Sequence, residues 1–168
     1  MTFVSIRSVG LGLLMAFAAA GALAAGKTLT LTEKVDLPAS ATQAWATIKD
    51  FNGWQDWHPA IGSTEIIRGK GNTKGTARIL ITKDGARITE ELMSHSTAAM
   101  KYSYRIIDSP LPVTNYLSTL KVNKTKTGST VVWTATFKAK AGNSDDDAKK
   151  TMAGVYRAGL DNLKNVVK

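Results

Sequence analysis

Residues 144–167, SDDDAKKTMAGVYRAGLDNLKNVV, form the stretch that decides how the rest of the chain folds. Apolar side chains recur there every three or four residues, which is the spacing of one face of an α-helix. This stripe comprises Ala148, Met152, Val155, Tyr156, Leu160, Leu163 and Val167. Ser144 can act as the N-cap, three aspartates follow it, and Lys164 and Lys168 lie at the other end, as the helix dipole favours. The sequence therefore predicts a long amphipathic C-terminal helix.

The chain before this helix reads as a series of strands separated by turn residues. The first strand is predicted over residues 28–37, where apolar and polar residues alternate. The later strands are predicted over residues 63–68, 75–82, 87–95, 100–107, 113–123 and 129–140. Glycine and proline mark the short connections, which favour antiparallel hairpins. The predicted class is therefore α+β, with one antiparallel sheet covered by the C-terminal helix and room for an internal space between them.

Two short helical segments are predicted between the first and second strands. Ser40 or Thr42 can cap a helix that runs through Asp50 and carries one apolar face. Residues 52–59, NGWQDWHP, follow as a compact aromatic stretch that is too short for a full helix. The predicted order is one strand, two short helices, six strands and the long helix.

Residues 1–24 have the features of a secretory signal peptide. An N-terminal region with one positive charge, Arg7, precedes the apolar residues 9–23. Ala22-Leu23-Ala24 has the small-x-small form of a cleavage site. Cleavage after Ala24 predicts a periplasmic protein with one domain over residues 25–168; the alternative is an uncleaved anchor. The chain carries a net charge of +9, and residues 1–24 hold one base and no acid, so the domain carries +8.

The composition disfavours several kinds of chemistry. Two histidines, His58 and His95, without any cysteine do not make a usual zinc site. The three aspartates at residues 145–147 lack the spacing of a calcium loop. The sequence has no Gly-x-Ser-x-Gly motif, and its glycines are wrongly spaced for a dinucleotide loop. We therefore expect no catalytic nucleophile, no metal and no cofactor.

The basic charge is spread along the chain as single lysines. The sequence contains no nucleic-acid recognition motif beside these lysines, so we expect no nucleic-acid partner. Such charge can serve solubility and protection of edge strands. It can also attract an acidic partner protein or an anionic membrane surface, although no permanent membrane anchor is expected in the domain.

The hairpin around Asp84-Gly85 decides which side chains share the inner face of the sheet. A two-residue turn of the Asp-Gly kind would place Glu90 opposite Ile79. A three-residue loop with Gly85 in the left-handed conformation would place Glu90 opposite Arg78. The residues of the hairpin by themselves favour the two-residue turn.

The order of elements, the Trp45–Phe51 segment, the Trp57-His58-Pro59 stretch and the closing helix together resemble the SRPBCC superfamily. That superfamily includes START-like lipid carriers, birch-pollen-allergen-like proteins and polyketide cyclase/dehydrase relatives. More narrowly, the chain is similar to the exported MxaD-type proteins of bacterial methanol oxidation. The resemblance implies a helix-grip fold, in which a curved antiparallel sheet of about seven strands wraps around the long C-terminal helix and leaves a hydrophobic cavity.

The chain also resembles the plant abscisic-acid receptors. The matching pieces are Arg78 with Glu90 and Leu92, Asn115-Tyr116-x-Ser118, and Gly142-Asn143-Ser144. This resemblance implies the three-residue loop and therefore the Arg78–Glu90 pairing. It also implies that His58 holds the place of the basic residue that binds the ligand's acid group. Two departures, the missing gate loop and Trp133 in place of a pocket glutamate, imply a smaller and more aromatic pocket without hormone sensing.

These considerations define ten candidate ligand-binding residues around the predicted cavity, on the inner face of the sheet, in the aromatic stretch and on the C-terminal helix. They are His58, Arg78, Leu80, Glu90, Tyr104, Tyr116, Ser118, Trp133, Val155 and Gly159. Each group has a structural alternative: Arg78 and Glu90 can form an ion pair that holds the register, and His58 can bond to nearby backbone. Tyr116 and Trp133 can be plain core residues.

Two functions follow from these residues and from the resemblance. The first is a non-enzymatic binding or accessory protein for a small hydrophobic or weakly acidic molecule. If the MxaD likeness extends to role, the protein supports electron transfer from an alcohol dehydrogenase to a cytochrome, and its partner is one of these acidic periplasmic proteins. The alternative is a cyclase/dehydrase-type enzyme with His58 and Glu90 as acid and base.

Overall fold

The computed structural model describes residues 26–168, so the predicted signal peptide, residues 1–24, lies outside the described residues. The strands are β1 (Leu29–Leu37), β2 (Ile61–Arg68), β3 (Ala77–Thr82), β4 (Arg87–Ser96), β5 (Lys101–Asp108), β6 (Val113–Lys124) and β7 (Ser129–Ala139). The helices are α1 (Ala41–Ile48), a single 3₁₀ turn (Trp54–Asp56) and α2 (Asp145–Val166). The predicted α+β class and element order are confirmed, and the element bounds agree with the predicted ones to within two residues.

The seven strands form one antiparallel sheet in the order β1-β7-β6-β5-β4-β3-β2. Strands β2 to β7 are a simple meander, and β1 returns to pair with β7, for example through Leu29 and Phe137. Register shifts interrupt the β2–β3, β4–β5 and β6–β7 ladders. Because bulges bend the strands that carry them, these shifts favour curvature of the sheet around α2.

The β3–β4 hairpin has a three-residue loop, so the two-residue turn favoured by its residues is wrong. Arg78 pairs with Glu90. Gly85 has a φ of 88°, and it is the only loop residue with positive φ, whereas a type I′ turn requires positive φ at both central residues. Thr82 contributes further by bonding through its hydroxyl to Asp84 and through its N–H to the Ala86 carbonyl. The register implied by the family resemblance is therefore the observed one.

Both helices begin at the predicted kind of cap. The Ser40 side chain, rather than that of Thr42, caps α1 in a capping box with Gln43. The Ser144 side chain accepts a 3.0 Å hydrogen bond from the Asp147 N–H at the start of α2. The predicted stripe of α2 is buried at Ala148, Met152, Tyr156, Leu160 and Leu163. Val155 and Val167 on the same stripe are only partly buried.

The helix α2 packs against β1 and β7 on the inner face of the sheet. Two of the largest buried side chains lie against it: Trp57 beside Gly159, and Trp133 stacked on Tyr156. Within residues 26–168, neither α1 nor α2 combines the length and apolar character needed to cross a bilayer.

Candidate functional site

An internal cavity of about 100 Å³ lies between α2 and the inner face of the sheet. Its walls are Trp54, His58, Ala60, Ile61, Leu80, Thr82, Ile88, Glu90, Tyr104, Ile106, Leu111, Tyr116, Trp133, Met152, Val155 and Tyr156. Seven of the ten predicted residues are among them: His58, Leu80, Glu90, Tyr104, Tyr116, Trp133 and Val155. The other three do not line the cavity. Arg78, Ser118 and Gly159 instead contact residues that do.

Arg78 and Glu90 form a buried ion pair at one wall of the cavity. Arg78 donates from Nε and Nη2 to the same carboxylate oxygen, Glu90 Oε2, over 2.9 and 2.6 Å. Its Nη1 donates to the Phe51 carbonyl. The guanidinium carbon lies 3.9 Å from the centre of the Phe51 ring and 4.2 Å from that of Trp54, which are cation–π distances. Arg78 is thus held from several sides and stands behind the carboxylate.

The two oxygens of Glu90 have different surroundings. Oε2 accepts both bonds from Arg78, whereas none of the hydrogen bonds among residues 26–168 ends on Oε1. Burial raises the pKa of Glu90, and the charge and hydrogen bonds of Arg78 oppose that rise. The paired donors on Oε2 are those expected of an ionised carboxylate.

Trp133 connects two strands through its indole nitrogen. Its Nε1 donates to the Tyr104 hydroxyl oxygen over 3.1 Å and to Ser118 Oγ over 2.9 Å. Ser118 in turn donates to the Thr134 carbonyl over 2.8 Å. Ser118 therefore orients Trp133 from behind the wall and does not reach the cavity itself.

Three tyrosine hydroxyls continue this network toward α2. The Tyr116 hydroxyl lies 3.4 Å from that of Tyr104 and is hydrogen-bonded to that of Tyr156. Tyr156, from α2, also contacts Ser118 Oγ at 3.3 Å. Burial raises the pKa of all three tyrosines well above the usual value, so each keeps its proton.

Both ring nitrogens of His58 are bonded to backbone. Nδ1 accepts a 3.3 Å hydrogen bond from the Ala60 N–H, and Nε2 lies 3.1 Å from the Val155 carbonyl, so the proton sits on Nε2. Burial lowers the pKa of His58 most strongly, Arg78 lowers it further, and the bond to Val155 opposes the change. The ring is therefore neutral, and its geometry is that of the structural alternative.

Gly159 provides space for the aromatic stretch and does not line the cavity. A β-carbon at this position would lie 2.6 Å from His58 Cδ2 and 2.9 Å from Trp57 Cζ3. The absence of a side chain therefore lets both rings approach α2. Gly159 is a predicted ligand-binding residue, but protein rings rather than a ligand use the space beside it.

Sequence reasoning missed several cavity residues. Trp54 lay in the predicted aromatic stretch, and its ring stacks on His58 with centroids 5.8 Å apart. Tyr156 lay on the predicted helix stripe, and its ring stacks on Trp133 at 4.1 Å. Both positions lie in patterns that core packing produces equally well, so the sequence alone does not mark them as cavity residues. The other missed residues are Ala60, Ile61, Thr82, Ile88, Ile106, Leu111 and Met152.

A larger depression of about 550 Å³ opens around the ends of β5 and β6. Its lining includes Arg105, Asp108, Leu117 and Lys140, and it shares only Tyr116 with the predicted site. Because it is a wide surface groove, it holds a small molecule less well than the internal cavity. Within residues 26–168, no three His, Asp or Glu side chains come together as a metal site.

A curved antiparallel sheet that wraps around a C-terminal helix, with an apolar cavity between them, defines the ligand-binding helix-grip fold. The chain belongs to the family described as polyketide cyclase/dehydrase and lipid transport, which matches residues 28–168. This confirms the resemblance to the SRPBCC superfamily. No curated protein matches the chain.

Solved structures agree with this assignment. The protein XoxI from Bacillus cereus is 33% identical, with a TM-score of 0.73 over 83% of this chain and 94% of that chain. An uncharacterised protein from Bacillus thuringiensis is 34% identical, with a TM-score of 0.73 over 84% and 98% of the two chains. The structure of Ara h 8.0201 is 19% identical, with a TM-score of 0.70 over 84% and 98%, and supports the fold alone.

Proposed function

We propose that the protein is a non-enzymatic binding or accessory protein that holds a small, mainly hydrophobic molecule between the sheet and α2. The observation that carries this proposal is the internal cavity of about 100 Å³, whose apolar and aromatic walls also present Glu90 and tyrosine hydroxyls. A few convergent polar groups in an apolar pocket orient a bound molecule. Pockets for drug-sized ligands occupy roughly 300–1,000 Å³, so the expected ligand has few heavy atoms.

The ten predicted residues take two roles in this proposal. His58, Leu80, Glu90, Tyr104, Tyr116, Trp133 and Val155 contact the ligand directly. Arg78, Ser118 and Gly159 position these contacts: Arg78 holds Glu90, Ser118 holds Trp133, and Gly159 makes space for His58. Such support fixes the rotamers of the residues that touch the ligand.

We further propose that the protein acts in the periplasm as an accessory to an alcohol dehydrogenase and its cytochrome. The signal-peptide pattern of residues 1–24 and the 33% identity to XoxI support this role. The net charge of +8 on residues 25–168 suits an acidic partner protein. Binding of that kind weakens as salt is raised, and it persists in variants that fill the cavity.

Native mass spectrometry of the exported full-length product tests ligand binding and export together. We expect a protein mass that begins after Ala24, accompanied by a second species carrying a small adduct that is released on unfolding. A mature protein that carries no adduct, and binds none of the small aromatic probes described below, would contradict ligand binding. A product that keeps residues 1–24 would contradict export.

A cyclase/dehydrase-type enzyme remains the second candidate because His58 and Glu90 line the same cavity. Acid–base catalysis requires a histidine nitrogen that exchanges a proton with the substrate, and both nitrogens of His58 bond to backbone. The test is a pH–rate profile of turnover on cyclisable polyketide-like substrates. An activity that His58→Ala and Glu90→Gln each abolish would establish the enzyme.

A further inference from the structure

The two carboxylate oxygens of Glu90 differ in their hydrogen bonds, and this difference bears on which molecules the cavity can bind. Glu90 lines the cavity, yet its side chain is only 4% exposed. Both hydrogen bonds from Arg78 end on Oε2, and Oε1 has no partner among residues 26–168. A carboxylate oxygen that faces an apolar cavity needs a donor, which water or a bound molecule can supply. Glu90 Oε1 is therefore the acceptor in the wall of the cavity that a bound molecule can satisfy.

The positive charge of the pair does not face the cavity. Arg78 is fully buried, and it is not one of the residues that line the cavity. The rings of Phe51 and Trp54 lie against its guanidinium, and its Nη1 donates to the Phe51 carbonyl. Among residues 26–168, no lysine or arginine lines the cavity, and His58 is neutral with its proton directed at the Val155 carbonyl. A bound molecule thus meets a carboxylate oxygen and no cation.

The tyrosine hydroxyls can satisfy one another without a ligand. One arrangement of protons runs from Tyr104 to Tyr116, from Tyr116 to Tyr156 and from Tyr156 to Ser118. The Ser118 proton then goes to the Thr134 carbonyl. Each hydroxyl proton in this series of hydrogen bonds has an acceptor. Glu90 Oε1 takes no part in the series, so a ligand donor is free to bond to it.

We propose, building on the proposed function, that the cavity selects an uncharged molecule with a hydroxyl or N–H group that donates to Glu90 Oε1, and that it rejects carboxylates. An acid group at this position would face the glutamate oxygen with no cation between them. Like charges in a buried site repel strongly, and desolvation of the second charge adds to the penalty. A cationic group is disfavoured because Arg78 already balances the charge of Glu90. The ligand class is therefore small alcohols, phenols and primary amides, in place of the weakly acidic molecule expected from the family resemblance.

Two pairs of probes with matched shapes test this selection on the wild-type protein. Phenol and toluene differ only in a hydroxyl against a methyl group, and benzamide and benzoate differ in an amide against a carboxylate. Protein-observed NMR titration with each probe gives the four affinities. We expect phenol to bind about tenfold or more tightly than toluene, and benzamide about a hundredfold more tightly than benzoate, as for hydrogen bonds to a charged group.

The variant Glu90→Gln removes the charge of the acceptor while keeping its shape. We expect it to reduce the preference for phenol over toluene severalfold and to narrow the gap between benzamide and benzoate. The matched control is Glu91→Gln, because Glu91 also accepts two bonds through Oε2, from Arg105 on the other face of the strand. This control should leave all four affinities unchanged. The wild-type comparison carries the test by itself should Glu90→Gln not fold.

The outcomes separate this inference from the proposed function. If toluene binds as tightly as phenol, or benzoate as tightly as benzamide, the selection rule is wrong while ligand binding stands. If Glu91→Gln alters the preferences as much as Glu90→Gln does, the assignment to Oε1 is wrong. If none of the four probes binds to the wild-type protein, both the selection rule and the proposed function fail.

Discussion

Gly159 on α2 and His58 in the aromatic stretch fit together so closely that a single added carbon would overlap the imidazole. A β-carbon at residue 159 would lie 2.6 Å from His58 Cδ2 and 3.1 Å from its Nε2. The same ring bonds to the Val155 carbonyl one turn earlier on the helix. The aromatic stretch is therefore attached to α2 at a point where only glycine leaves enough room.

The substitution Gly159→Ala tests this fit. Alanine in a helix interior is normally more stable than glycine by about 0.5–1 kcal/mol. Here we expect the opposite sign, a loss of about 1–3 kcal/mol, because the added methyl group forces the rings of His58 and Trp57 to move. The control is Gly154→Ala on the same helix, where nothing lies within 4 Å of the new carbon. Urea unfolding of both variants measures the difference, and a stabilised Gly159→Ala would contradict the fit.

The buried ion pair gives a second prediction. Arg78→Met leaves the Glu90 carboxylate buried without a partner, which we expect to destabilise the fold by about 3–5 kcal/mol. The double variant Arg78→Met, Glu90→Leu should recover much of that loss, because it removes both charges. Arg105→Met is the matched control, since its partner Glu91 pairs on the exposed side of the sheet. A double-mutant cycle by urea unfolding measures the coupling.

A loss in Arg105→Met as large as that in Arg78→Met would show that burial is not the source of the effect. A double variant no more stable than Arg78→Met would show that the unpaired charge is not the source either.

The lowered pKa of His58 makes stability depend on pH with a definite sign. The folded protein keeps His58 neutral, whereas the unfolded chain takes up a proton near the ordinary pKa of 6.5. Between the two pKa values the unfolded state binds more protons, so this contribution to stability is present above pH 6.5 and is lost as the pH falls below it. The slope from one group is at most about 1.4 kcal/mol per pH unit. NMR titration of the His58 ring with unfolding at several pH values measures both quantities. A ring that titrates at or above pH 6.5 in the folded protein would contradict the prediction.

Filling the cavity should weaken ligand binding without unfolding the domain. Val155 is partly buried and lines the cavity, so Val155→Phe directs a larger side chain into the space that a ligand would use. We expect the affinity for phenol to fall by about tenfold or more, since the ring competes for the same volume. Thr151→Phe adds the same side chain on the exposed face of α2 and should leave binding unchanged. Equal affinity in both variants would place the phenol site elsewhere.

The fold was predictable because its signals are local. The stripe of α2, the Ser144 cap and the glycine and proline turns each operate within a few residues, so the elements lie within two residues of their predicted bounds. The register of the β3–β4 hairpin was not predictable from its own residues, because Asp84-Gly85 suits either loop length. Only the family resemblance selected the pairing of Arg78 with Glu90.

The site was predictable in part for a related reason. Strand alternation in the register implied by the family resemblance places Glu90, Tyr104 and Tyr116 on the inner face; alternation alone does not fix the face of Glu90. The backbone bonds of His58 were one of two open alternatives, and the choice depends on where a helix 97 residues away along the chain comes to lie. The part played by Gly159 depends on a distance to a distant ring, and no pattern along the sequence encodes that distance.

The pairing of β1 with β7 has a consequence for the order of folding. The ladder joins positions as far apart as Leu29 and Phe137, whereas each of the other ladders joins two strands that are consecutive in the sequence. Closing so long a loop carries a larger entropic penalty than closing a hairpin does. We therefore expect the meander to form first and the N-terminal strand to join last, so that β1 completes the β-sheet only after the remainder of the polypeptide is in place.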